Sequence, residues 1–167
     1  MSDFKVIAPP TIGFQPIADN STSQKHDLGY CVQANDIATT AYGVGEFMYA
    51  KGLAATVVGS VVIIDADDFT TKLAVANDVG RIATAMAATV ASEFGWYQCR
   101  GKAVAKSLAS NADNAAQYLT ATAGSIDDAV VAGDRLHKAE SASAVDTPSS
   151  GLIEIDLDFT FVDNVAD

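Results

Sequence analysis

The sequence predicts a mainly β protein: one compact domain behind an extended N-terminal arm, with at most one or two short helices. Three observations predict it. Residues 152–162 alternate strictly, with Ile153, Ile155, Leu157, Phe159 and Phe161 on one side and Glu154, Asp156, Asp158 and Thr160 on the other. That is the signature of a half-buried antiparallel strand. Residues 94–105 hold the only tryptophan in an alternation of large and polar side chains, with Trp96, Gln98 and Arg100 on one face and Tyr97 and Cys99 on the other. From Leu28 onward, short apolar runs are punctuated by Gly, Asn and Asp, the grammar of all-β chains.

Residues 1–27 read as the arm, because Pro9, Pro10 and Pro16 cannot donate to a ladder or sit inside a helix. Phe4, Val6, Ile7, Ile12, Phe14 and Ile17 are too many apolar anchors for a solvated tail, so the arm lies along a surface, its own domain's or a neighbour's. Residues 28–167 form the single β-rich domain. Strands are expected at 29–34, 45–50, 57–64 and 70–75, with Asp65-Ala66-Asp67-Asp68 as the turn between two of them. Residues 81–94 place Ile82, Met86, Val90 and Phe94 at helical spacing on an alanine-rich background, but Thr84, Thr89 and Val90 favour a strand followed by a turn. Residues 111–118 could add one helical turn. Residues 125–139 have an N-cap candidate in Ser125 and an interruption at Gly133, leaving helix or strand open. Residues 141–151, with Pro148 and paired serines, read as a loop.

The chain carries 21 acidic against 10 basic residues, a net charge of -11. Phosphate backbones would repel it at long range, so direct nucleic-acid binding is not expected. The longest apolar run, residues 53–64, falls short of the ~18 residues a membrane span needs, so no membrane partner is expected, and the N-terminus lacks a secretory pattern. Cys31 and Cys99 are then expected to be buried free thiols rather than a disulfide. His26 and His137 have no companion metal motif, and no Gly-x-Ser-x-Gly elbow is present. Gly43-Val44-Gly45 lacks the third glycine of a dinucleotide loop, since Met48 stands there, and reads as a turn. The acidic stretch 65–68 departs from a calcium loop at Thr70 and Ala76. The row Glu154, Asp156 and Asp158 needs solvent or counter-charge. No catalytic, cofactor-binding or metal residue is assigned, and no enzymatic activity is expected.

Taken together, Gly45-Glu46-Phe47-Met48-Tyr49-Ala50-Lys51-Gly52, Gly80-Arg81-Ile82-Ala83-Thr84-Ala85-Met86, residues 94–103 from Phe94 to Ala103, and Leu119-Thr120-Ala121-Thr122-Ala123-Gly124 resemble the capsid decoration, or cement, proteins of tailed bacteriophages. The resemblance spans about residues 28–162. It implies a β-tulip or small-barrel/sandwich fold like that of lambda-like head decoration proteins, although those are shorter. It also implies a homotrimer on the virion's capsid exterior, made in the host cytoplasm, that clamps adjacent major capsid protein subunits against the pressure of packaged DNA. Under that reading Phe4, Ile7, Pro9, Pro10, Phe14 and Ile17 are expected as capsid-side anchors whose deletion leaves a folded trimer. Trp96, Tyr97, Phe47 and Tyr49 are expected in the core or the trimer seam. The alternative is a head-fibre base or adhesin-like host-binding module.

Overall fold

Alternation and glycine punctuation do build a domain of strands alone. The computed structural model describes residues 3–7 and 14–165, and among them no helix occurs. In chain order the strands are β1 (Phe4–Val6), β2 (Asn20–Ser21), β3 (Cys31–Asp36), β4 (Val44–Gly52), β5 (Val61–Ile64), β6 (Thr70–Leu73), β7 (Gly80–Ala85), β8 (Phe94–Lys106), β9 (Ala116–Leu119), β10 (Ile126–Asp127), β11 (Arg135–Ser141) and β12 (Leu152–Val162). They form one mixed sheet in the order β1-β3-β4-β6-β5-β7-β8-β12-β11-β9-β10, with β2 added to β8.

The sheet does not lie open. β4 pairs with β6 on one side and with β8 on the other, and β6-β5-β7-β8 completes the circuit, so these strands close a small barrel. Its interior is filled by Met48 and Ala50, Val62 and Ile64, Ala83 and Ala85, Tyr97 and Cys99, with Phe69 and Leu73 packed against them. A narrow barrel has room for few large side chains, which is why alanine serves so often on its inner face. A second circuit runs β8-β12-β11-β9-β10 and returns through the bridge Ser107 to Ile126. It encloses Ala103, Ala105, Leu119, Ile126, Leu136, Ile153, Ile155 and Leu157. β5 lies between the two cores, sending Val62 and Ile64 into one and Val61 and Ile63 into the other. A strand buried on both faces loses alternation, as its uninterrupted Val-Val-Ile-Ile shows.

β8 joins the circuits. Phe94 to Arg100 pair with β4, and Arg100 to Lys106 pair with β12. At the changeover Cys99 is the extra residue of a bulge, and Gly101 takes φ +86°. A third core lies on the outer side of β4 and β8, where Phe4, Ile17, Val32, Ala34, Tyr42, Phe47, Tyr49 and Trp96 are buried together.

Among the ambiguous segments the favoured reading of 81–94 holds, the open choice at 125–139 is settled, and the expectations for 111–118 and Cys31 change. Residues 81–94 form β7 and then turns, as the threonines favoured. Residues 111–118 make no helical turn, since Ala116 to Leu119 are β9. Residues 125–139 contain β10, a turn at Gly133 (φ +84°) and the start of β11. Ser125 caps no helix; its carbonyl accepts the Thr120 hydroxyl at 3.0 Å. Both cysteines are free, but only Cys99 is buried while Cys31 is exposed. They lie in β3 and β8 on opposite flanks of β4, opposite or beside the Met48–Tyr97 pair. Two strand spacings separate them by roughly 9–10 Å, beyond disulfide reach. Burial pushes the Cys99 thiol up to about 12, which leaves it without nucleophilic character near neutrality.

Candidate functional site

The arm is where sequence reasoning placed binding, and its described residues are fastened to their own domain. β1 pairs with the outer edge of β3, Phe4 opposite Asp36 and Val6 opposite Ala34. Residues 14–21 form a strap across β8, ending in β2 with Asn20 opposite Gly95. Gln15 is the hub. Its backbone carbonyl accepts the Trp96 indole N–H at 3.0 Å, and its side-chain oxygen accepts the Tyr49 hydroxyl at 2.9 Å. Its amide nitrogen donates to the carbonyls of Asp19 (2.8 Å) and Phe94 (3.2 Å), and its backbone N–H donates to His26 Nε2 at 3.1 Å. Phe14 stacks on Trp96 at 5.2 Å, with the His26 and Tyr49 rings at 5.3 and 5.0 Å from the same indole. Gln15 is not singled out from sequence, because a single polar residue beside a proline carries no periodic signal, and His26 is weighed there only as a base or metal ligand.

Four of the six expected anchors fall among the described residues. Phe4 is buried edge-on to Phe47 at 4.9 Å, Ile17 is buried, and Phe14 is half-buried. Ile7 is 57% exposed and remains available to a partner. Pro9, Pro10 and Ile12 lie outside the described residues. Phe4, Phe14 and Ile17 therefore build the third core, so removing the first twenty residues would strip apolar packing from the domain itself. Trp96, Tyr97, Phe47 and Tyr49 are no more than 1% exposed, which makes them core and leaves no area for a seam between chains.

His26 makes the strap pH-sensitive. Desolvation lowers its pKa below the ordinary 6.5, the Asp27 carboxylate opposing only in part. Only the neutral ring can accept the Gln15 N–H. With the folded value below the unfolded one, the unfolded chain binds more protons in the window between them. The stabilisation is thus complete above 6.5 and is lost as pH falls through the folded value. We expect the protection factor of the Gln15 amide, which corrects for the slower intrinsic exchange at low pH, to be smaller at pH about 5 than at about 7.5, and this difference to vanish in His26→Gln. An unchanged protection factor across that range would refute the linkage.

The other polar constellations are structural. Asp65 and Asp68 accept backbone N–H groups of their own turn, Asp67 at 2.8 Å and Thr70 at 2.9 Å. The acidic row of β12 meets basic residues of β8: Lys102 lies 2.5 Å from Glu154 and Arg100 lies 3.2 Å from Asp158. His137 stacks on Phe161 and faces Asp163 at 3.4 Å. Among the described residues no group of three or more His, Cys, Asp or Glu is placed to hold a metal ion.

Among the large apolar side chains that the described surface exposes, one set comes from neighbouring segments. Val79, Val130, Val131, Phe161 and Val165 are all exposed, Val130 by 79%. They come from segments that touch: Asn77 N–H donates to Asp134, Gly133 lies against Asn164, and β12 meets β7 through the pairs Phe161–Arg81 and Val162–Gly80. Comparison with protein-family models, curated proteins and solved structures yields no match.

Proposed function

We propose that this chain is a structural virion protein that binds the outer surface of a phage capsid and cements adjacent major capsid protein subunits, acting as a homotrimer. The observation that carries the reading furthest is the exposed apolar set formed by Val79, Val130, Val131, Phe161 and Val165 on a domain whose arm is strapped down. Burying such side chains against a shell or a second copy would contribute about 25 cal/mol per Å² of apolar area, and several weak sites on a trimer would add by avidity. Ile7 supplies a further exposed contact beside β1, where an edge strand could accept strand addition. The sequence phrases that resemble those of decoration proteins point the same way.

The test combines solution mass with co-sedimentation on emptied shells of the phage encoding the chain. A trimer that pellets with shells is expected. The double variant Val130→Asp/Val131→Asp, whose sites lie in an exposed loop, should keep the wild-type melting temperature and lose at least about tenfold in shell affinity or in trimer stability. Equal binding by the variant would remove this set from the interface, and a wild-type chain that ignores shells would overturn the cement reading.

A further inference from the structure

Among the described residues, buried side-chain polar atoms without a hydrogen-bond partner occur at Thr84 Oγ1 and Gln98 Oε1. Thr84 and Gln98 are direct cross-strand partners of β7 and β8, so both fall at one locus. Buried polar atoms are otherwise paired, and an orphan calls for a reason. At Gln98 the identity of the orphan is fixed by its other end. Its amide nitrogen donates to the carbonyls of Arg100 (3.1 Å) and Lys102 (2.9 Å), so the unengaged atom is the oxygen, an acceptor. Gly45 makes room for that amide, since a Cβ there would lie 2.7 Å from Gln98 Nε2.

Gln98 is fully buried and lines a cavity of about 450 Å³. Its walls are largely apolar and include Phe4, Tyr42, Met86, Val104 and Leu152. Of the other polar lining residues, Glu154 is committed at 2.5 Å to Lys102, whose ammonium lies over the Tyr42 ring at 5.4 Å, and the Thr39 hydroxyl donates to Asp36 at 2.5 Å. Asp36 also fixes the rim loop by accepting the N–H groups of Ala38 and Thr39. Size, apolar walls and one convergent polar atom are the features of a small-molecule site. Aromatic and thioether walls select a ring; of the two unpaired atoms only Gln98 belongs to a residue that lines the cavity, and an acceptor without net charge selects a neutral donor.

We propose that this cavity is a binding site for a small neutral heteroaromatic molecule, its ring held among Phe4, Met86 and Val104 and its one N–H donating to Gln98 Oε1. Such a ligand fills the outer core under the N-terminal strand and couples β1, through Phe4, to the junction of the two circuits. It is independent of the cement reading.

The probe is indole, titrated into the full-length protein and followed by amide and methionine-methyl NMR, with 1-methylindole as the donor-free control. Saturable binding of indole is expected, with shifts centred on Met86 and the Gln98 side-chain amide, and affinity for 1-methylindole about tenfold weaker, the value of one buried hydrogen bond. Gln98→Met should bind the two probes alike. Ser149→Trp, on the exposed rim, should close the cavity and abolish binding without touching the core, so the inference stands or falls even if the Gln98 variant folds poorly. No saturable shift with indole, equal affinity for the two probes in the wild-type protein, or undiminished binding by Ser149→Trp would each overturn it.

Discussion

Trp96→Ala is expected to destabilise the folded domain by about 3–5 kcal/mol, the range for truncating a large buried aromatic side chain. The indole is fully buried among Phe14, His26 and Tyr49, and its N–H is the partner of the Gln15 carbonyl. Truncation leaves a cavity at the outer core and an unpaired acceptor in the strap. The urea midpoint should fall accordingly, and limited proteolysis should cut between residues 14 and 21 before any other site. Trp96→Phe keeps most of the ring but loses the donor, so it should show faster strap cleavage at a much smaller cost, about 1–2 kcal/mol. If the alanine variant lost stability without earlier cleavage in the strap, the indole would be core filling alone and not a clasp.

Gly101→Ala is the second large effect. Gly101 sits where β8 changes partners, with φ +86°, and a Cβ there would lie 2.6 Å from the Val44 carbonyl oxygen and 3.2 Å from the Gly45 Cα. The obstacle is backbone, which cannot rotate away as a side chain can. A left-handed conformation alone costs an alanine about 1–2 kcal/mol, and prising β4 from β8 adds to it, so a loss above about 3 kcal/mol is expected. Gly151→Ala isolates the first contribution: its φ is +72° but nothing lies within 4 Å of its would-be Cβ. Comparable losses in the two variants, measured by urea denaturation, would show that the close approach to Val44 is not what requires glycine at 101.

Much of the strand content is legible because half-buried strands announce themselves. Residues 152–162 form β12 from end to end, with Ile153, Ile155 and Leu157 buried as their alternation predicts, but the alternation slips at Phe159 (φ +50°), where the register against β11 shifts, so Thr160 and Val162 are buried and Phe159 and Phe161, expected on the inner face, are exposed. The segment 81–94 was ambiguous for the converse reason. Ala83 and Ala85 face the barrel and Ile82 the second core, so both sides are apolar and no period survives. At 125–139 a plausible cap and acidic first turn are overridden by Gly133, whose left-handed turn leads into β11. The arm's anchors were recognised as apolar and surface-seeking, but which surface they cover depends on Gln15, His26 and Trp96 meeting across 81 residues of chain.

Composition and pattern thus establish a mainly β chain with a proline-rich arm and no recognisable catalytic motif, because alternation, glycine and proline act through local geometry. The closure of β4, β6, β5, β7 and β8 into a barrel, the transfer of Phe4 and Ile17 from expected anchors to core, and the meeting of Thr84 with Gln98 beside a cavity are long-range outcomes. They rest on which strands pair and in what register, and register is settled by packing between distant segments rather than by any segment's own preference.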